Sequence, residues 1–486
     1  MFFQRFYDAK LAQASYLIGC QQTGEAAVID PNRDVEQYIQ AAAREGLRVT
    51  HVTETHIHAD FVSGARELAQ RAGAELLLSD EGGPDWTYAY ARQDGARLLK
   101  DGDTWMVGNI RFEVMHTPGH TPEHISFLVT DTPASAGPWG ILTGDFVFVG
   151  DVGRPDLLER AAGHAGTMEA GARTLFHSLE RFRALPDHLQ IWPGHGAGSA
   201  CGKALGAVPS TTVGYEKLGN WGVATTDEAE FIRIVLEGQP EPPRYFAEMK
   251  RINKDGPRVL GGFPRPPRLA AAELPTLLER GEIVVDFSLE AAFAHGHVPG
   301  TINIPLNGAF TTWAGWLLPY DRDVHLLVDD DPSRSVEAAV RDLAMIGLDR
   351  VAGVLGPDAV DAWKAAGHEL GTVAQADVHE VAAMHENDSA TIVDVRGRAE
   401  WEDGHLPGVP NIPVGYLVER LEEISADRPV VVYCESGSRS ALAASVLQAH
   451  GVPNVINFTG GYVAWRDAGL PLLRAHEEGA LQPTSS

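Results

Sequence analysis

Cysteine is scarce in this 486-residue chain, which has only Cys20, Cys201 and Cys434. Three thiols, odd in number and far apart, exclude a disulfide framework and suit a reducing compartment. Basic residues are also in short supply: 39 Lys plus Arg stand against 66 Asp plus Glu, a formal net charge of −27. Such a chain repels nucleic acid and anionic membrane surfaces, so neither is expected as a partner. No run approaches the ~18 apolar residues of a membrane-spanning helix. The first residues carry no basic segment followed by a long apolar stretch, so no signal peptide is read and a cytoplasmic location is expected. What the chain does have is 44% hydrophobic residues, ample for packed cores. At roughly 100–200 residues per domain, its length suggests about three domains.

The first half alternates strand and helix signals. ASYLIG and EAAVID read as paired strands, VEQYIQAAAREG as an amphipathic helix ending at Gly46, and LRVTHVTETH as a further strand. Strand-then-helix layers repeated twice predict an αββα sandwich over residues 1–250. The stretch from Arg251 to Arg268 holds four prolines, three glycines and five basic residues, the composition of a linker, assigned to 251–267. Beyond it the sequence repeats. IVVDFSLEAAFAHGHVPGTINIPL matches IVDVRGRAEWEDGHLPGVPNIPV at an offset of 108 residues, and LLVDDDPSRS matches VVYCESGSRS. That period is a whole domain rather than a solenoid unit, giving copies over 268–373 and 374–476. Residues 477–486 read as a frayed tail.

Chemistry-bearing residues gather in two places. In the first domain THIHAD supplies His56, His58 and Asp60 on a loop between a strand and a helix. HTPGH supplies His120, TGD supplies Asp145 and PGHG supplies His195, each at the end of a strand-like run. An isolated HxH is usually unremarkable, but four such segments converging on one sandwich edge make a metal site. Imidazoles plus carboxylates with open positions suit iron or zinc. In the last domain Cys434 starts CESGSRS between an apolar strand and a helix. Loop N–H groups, the helix N-terminus and Arg439 would stabilise a thiolate or persulfide there.

The order of metal segments resembles the metallo-β-lactamase superfamily, whose motif is HxHxDH followed by His, Asp and His. One position departs: Phe61 stands where that motif has its last His, a ligand of the second metal in dinuclear zinc hydrolases of glyoxalase II type. Within the superfamily the chain is similar to the persulfide dioxygenases. That resemblance implies one Fe(II) per chain, held by His56, His120 and Asp145, with His58, Asp60 and His195 orienting ligands or water. It implies oxidation of a small-molecule persulfide by O2 to sulfite and thiol. Arg154, in DVGRPDL, is read as pairing either with an anionic substrate group or with a carboxylate. Cys201 is read as a pocket thiol near the metal. The alternative activity is a dinuclear zinc thioester hydrolase of glyoxalase II type carrying a sulfur-carrier domain.

The repeat resembles rhodanese domains, which implies two α/β domains with parallel sheets. In the last copy DVR at Asp394–Arg396, GHLPG and NIP accompany the Cys434 loop. Its length suits sulfur rather than the longer loop of related phosphatases. The resemblance implies that Cys434 carries sulfane sulfur, with Arg439 as its cation and Glu435, Ser436, Gly437 and Ser438 as the substrate cradle, forming or using thiosulfate from sulfite. In the first copy Asp329 falls where Cys434 stands, so that copy lacks the nucleophile and is read as a spacer, an interdomain wall or an oligomer contact. A homo-oligomer, dimer or tetramer, is expected. The candidate carriers of the persulfide are coenzyme A, glutathione, a bacillithiol-like thiol and a protein thiol.

Overall fold

The computed structural model describes residues 1–160, 166–239, 241–328 and 332–474. They divide into two compact units, Met1–Phe263 with Leu343–Gly347, and Pro264–Asp342 with Leu348–Ser486. The frayed tail read at 477–486 and Asp329 lie outside the described residues.

The first unit is built on two six-stranded sheets. One runs in the order Phe2–Asp8, Gln13–Cys20, Glu25–Ile29, Arg48–Thr53, Glu75–Ser79, Arg97–Leu99. The other runs Thr211–Thr212, Gln190–Pro193, Gly140–Gly144, Ile125–Asp131, Ile110–His116, Thr104–Val107. Gln13–Cys20 is buried along its whole length because both of its faces are covered. Its alternate residues enter different cores. Tyr16, Ile18 and Cys20 join Trp105, Phe112, Phe127 and Trp192 between the sheets. Leu17 joins Tyr38, Ala41, Leu68 and Leu76 under the helices Glu36–Arg44 and Ala65–Ala72. A third core, with Phe146, Leu175, Leu179, Phe182 and Ile191, seats helix Met168–Arg183 on the second sheet. The layers are therefore helix, sheet, sheet, helix, the expected αββα sandwich. Helix Phe246–Asp255 takes the opening residues of the stretch read as linker. Its apolar residues Phe246 and Met249 are buried, which the prolines downstream mask in a composition count.

The second unit contains two four-stranded, wholly parallel sheets. The first orders Ile302–Asn303, Ile283–Asp286, Val324–Leu327, Val351–Leu355. The second orders Ala374–Ala376, Val455–Phe458, Val430–Tyr433, Thr391–Asp394. A single parallel bridge extends each sheet at the edge where the other has a strand, Arg268 to Val354 and Asp394 to Asn411. The repeat extends to side chains. His297 gives Nδ1 to the Phe293 carbonyl and stacks on its ring, as His405 does with Trp401. Asn303 bonds the Asp286 and Ser288 carbonyls as Asn411 bonds those of Asp394 and Arg396. Among the described residues no helix is long and apolar enough to cross a membrane.

Candidate metal centre and sulfur-transfer loop

Strand Arg48–Thr53 ends at the sandwich edge, and the chain then turns through Thr55, His56, Ile57 and His58. His120 follows strand Ile110–His116, and Asp145 follows strand Gly140–Gly144. One ligand atom from each of His56, His120 and Asp145 lies within 4.8 Å of the others, and all three residues are buried. The His56 and His120 Nε2 atoms stand 3.8 and 3.5 Å from Asp145 Oδ2.

The hydrogen bonds fix which nitrogen of each ring carries its proton. Thr55 Oγ1 gives its hydrogen to Asp30 Oδ2 at 2.9 Å and therefore accepts from His56 Nδ1 at 3.0 Å. The Arg154 carbonyl accepts from His120 Nδ1 at 3.1 Å. Both rings thus present an Nε2 lone pair toward Asp145. Burial, then the neighbouring His58 charge, holds His56 well below the usual imidazole range, and burial lowers His120 too. His56 Nε2 and Asp145 Oδ2 are buried without a hydrogen-bond partner. Orphaned acceptors of this kind are costly in a protein interior unless something fills the place. Two neutral imidazoles and a carboxylate, all aimed inward, fit a divalent cation.

His58, Asp60 and His195 surround this group. Burial alone would lower His58, but Asp30, 3.1 Å from its Nε2, carries it up to about 9. His195 bridges two carboxylates, Nδ1 to Asp145 Oδ1 and Nε2 to Asp60 Oδ2, each at 2.7 Å. Against the effect of burial, Asp145 and Asp60 raise it well above its ordinary value. Cys201 completes a second buried group with Asp60 and His195. Burial, reinforced by those carboxylates, pushes its thiol far up, so it is held protonated. Phe61 is fully buried with its ring 4.4 Å from that of His58. Arg154 is also fully buried, and its guanidinium forks onto Asp156 at 2.9 and 2.7 Å and reaches the Ala200 carbonyl.

Four polar supports escape the sequence reading. Asp30, at the end of strand Glu25–Ile29 with a φ of 52°, accepts from Thr55 N at 2.6 Å as well as from Thr55 Oγ1 and His58. His124, kept neutral by burial, accepts the Asp145 N–H at 3.0 Å, pairs with Thr117 through Nδ1 and stacks on His56. Glu123 accepts from Ile57 N, between the two histidines. Asn253 donates to the His58 and Phe61 carbonyls and accepts from Ser63 N. The one available signal is an acidic or amide residue closing an apolar run, as in EAAVID. Gly153 shows how tightly the loops close, since a Cβ there would overlap the Asp145 carbonyl oxygen.

The second place is the turn between strand Val430–Tyr433 and helix Ser438–Ala449. The Gly437 N–H donates to Cys434 Sγ at 3.1 Å, and the Ser440 hydroxyl lies 3.6 Å from the same sulfur. Gly437 has a φ of 108°, a conformation that turns its N–H back over the sulfur. Arg439 does not reach over the sulfur alone: its guanidinium forks onto Glu400 at 2.7 and 2.6 Å. Arg396, buried under the loop, forks onto Asp394 and extends to Glu435 Oε2 at 3.3 Å. Ser436, Gly437 and Ser438 line an open cavity beside the loop, whereas Glu435 turns toward Arg396.

The Metallo-beta-lactamase superfamily model matches residues 9–195. A metallo-beta-lactamase structure from Staphylococcus aureus subsp. aureus COL is 44% identical, covers 74% of this chain and 99% of its own, and superposes with a TM-score of 0.65. The chain belongs to the metallo-β-lactamase superfamily. The Rhodanese-like domain model matches residues 377–468, so this superfamily member carries a C-terminal rhodanese-like domain. Relatives include a "Beta-lactamase hydrolase-like protein" of Xylella fastidiosa (strain 9a5c), 28% identical over 54% of this chain. The chain spans 61% of that relative's length. Others are the mitochondrial persulfide dioxygenase ETHE1 of Bos taurus, 28% identical over 40% of this chain and 67% of its own, and a hydroxyacylglutathione hydrolase of Rhodospirillum rubrum, 31% identical over 37% and 60%.

Proposed function

We propose that this chain is a bifunctional sulfur enzyme. It oxidises a small-molecule persulfide with O2 at one Fe(II), held by His56, His120 and Asp145, and transfers sulfur through Cys434. The observation that carries the reading is the pair of orphaned acceptors, His56 Nε2 and Asp145 Oδ2, beside His120 in a site where Phe61 supplies no donor. The likeness to the bovine persulfide dioxygenase supports it. Bound there, Fe(II) would supply open positions and the redox chemistry that dioxygen requires. The overall step balances as persulfide, O2 and water giving thiol, sulfite and two protons. The chain's own part is to hold two imidazoles neutral and to keep a protonated His195 between Asp60 and Asp145 beside them. In the other unit the Gly437 N–H steadies a charged sulfur on Cys434. Sulfite attacking a Cys434 persulfide takes its outer sulfur as thiosulfate and leaves the thiolate. A reducing compartment, the cytoplasm, suits these free thiols.

A dinuclear zinc hydrolase is the second reading, favoured by the Asp60, His195 and Cys201 group and by the hydroxyacylglutathione hydrolase relative. Against it, both His195 nitrogens are already engaged with carboxylates and Phe61 supplies no donor to a second metal. Elemental analysis of purified protein, with oxygen uptake on a persulfide panel, separates the two. About one iron per chain with oxygen uptake is expected; two zincs per chain with thioester hydrolysis restored by zinc would replace this reading with the hydrolase.

A further inference from the structure

The loop that carries His56, His58 and Asp60 continues through Phe61, Val62 and Ser63 before helix Ala65–Ala72 begins. These three residues are buried, so their backbone groups need protein partners. Asn253 takes the Phe61 carbonyl and the Ser63 N–H. The Val62 N–H goes to the Met345 carbonyl at 2.7 Å. Met345 ends helix Pro332–Met345 of the copy that has no cysteine, yet Leu343–Gly347 packs as part of the first unit. The final carbonyls of a helix have no partner within it, and here the metal domain supplies one. Buried Arg33 donates to the adjoining carbonyl, that of Ala344, at 2.9 Å, and its other branch donates to the Arg258 carbonyl. Gly347 presses on the same place: a Cβ on it would stand 2.7 Å from Ile252 Cδ1 and 3.2 Å from Val62 Cγ2. The matching terminus of the other copy makes no such use. Helix Ser438–Ala449 closes on Gly451, with a φ of 83° against 78° for Gly347. His450 and Gly451 are exposed, whereas Met345 and Ile346 are buried.

We propose that the segment Leu343–Gly347, at the helix end of the cysteine-less copy, is a wedge that fixes the metal edge, and that Arg33 and Gly347 are positioning residues for the metal donors. The proposal rests on His56, His120 and Asp145 being those donors. The route from wedge to donor is short. A loop held at Phe61, Val62 and Ser63 keeps Asp60 on His195 Nε2. His195 in turn keeps Asp145 Oδ1 through its Nδ1, which leaves Oδ2 for the metal. Releasing Val62 frees Asp60 to turn, and Asp145 follows through His195. Groups that orient ligands from behind set how tightly a metal is held. The copy that lost its nucleophile therefore keeps a chemical role, exercised on the metal donors rather than on sulfur.

The test uses the full-length protein and compares Gly347→Ala with Gly451→Ala. Both alanines are forced into a similar positive φ, but only the one at 347 meets neighbours, since a Cβ at 451 has nothing within 4 Å. Chelator competition measures metal retention, and the visible absorption of the Co(II)-loaded protein reads the geometry of the site. Gly347→Ala should weaken retention by about tenfold and shift the Co(II) bands, whereas Gly451→Ala should change retention by less than about twofold. Arg33→Met should act like Gly347→Ala. Arg33→Lys, which can still donate to the Ala344 carbonyl, should recover retention to within about threefold of the parent. If Gly347→Ala does not fold, the two Arg33 variants decide the matter. Equal retention and unchanged Co(II) bands in Gly347→Ala and Gly451→Ala overturn the proposal. So does an Arg33→Met protein whose denaturant midpoint falls while its retention and bands stay those of the parent, because the contact is then purely structural. Failure of the parent protein to bind either iron or Co(II) overturns both the proposal and the metal reading beneath it.

Discussion

A single carboxylate, Asp30, does more for the metal edge than its place in the sequence suggests. It accepts from the backbone and hydroxyl of Thr55 and pairs with His58, and through Thr55 it sets the tautomer of His56. Removing such a support leaves the ligand in place but unorients it, typically at a cost of about 10–100-fold in metal affinity. Asp30→Asn should therefore weaken metal retention by about that factor. Competition with a chelator, followed by elemental analysis, measures it, and circular dichroism checks that the sandwich persists. Retention equal to the parent protein would mean that Thr55 orients His56 unaided.

At the scale of elements, helix Phe246–Asp255 shows how composition can mislead. The prolines and glycines after it mark a linker, yet the helix itself closes on the metal loop through Asn253. Asn253→Ala would leave the His58 and Phe61 carbonyls and the Ser63 N–H unpaired. At about 1–3 kcal/mol for a buried group left unsatisfied, the first unit should lose at least about 2 kcal/mol. Denaturant unfolding of full-length protein should show a lower midpoint for that transition, with metal loss preceding it. The paired parallel sheets make the complementary point. Their strand orders and the His–carbonyl and Asn–carbonyl bonds persist in both copies, whereas the residue matching Cys434 is Asp329 in the first. Scaffold and chemistry are separable within this fold.

For the whole molecule, the metal donors and Cys434 belong to different compact units. His56→Ala should abolish oxygen uptake while sparing sulfur transfer. Cys434→Ser should abolish thiosulfate formation, leave oxygen uptake within about twofold and shift the product to free sulfite. Parallel oxygen-electrode and thiosulfate assays test both. Loss of oxygen uptake in Cys434→Ser as complete as in His56→Ala would mean that persulfide must load on Cys434 before reaching the metal.

Residue order alone makes legible the sandwich, the repeat, the donors His56, His120 and Asp145 as a candidate set, and the single loop thiol. Each is legible because residue type carries the chemistry and strand-end spacing carries the placement, both of them local properties. Tertiary structure decided the rest. Asp30, His124, Glu123 and Asn253 are ordinary polar residues with no motif of their own, and Asn253 reaches its carbonyl partner across 195 positions. Arg154 could have met a substrate anion or a carboxylate, and only the fold put Asp156 in its fork. The physical reason is the same in each case. A buried polar group must find a partner, but nothing in the local chain says which distant group the packing will deliver.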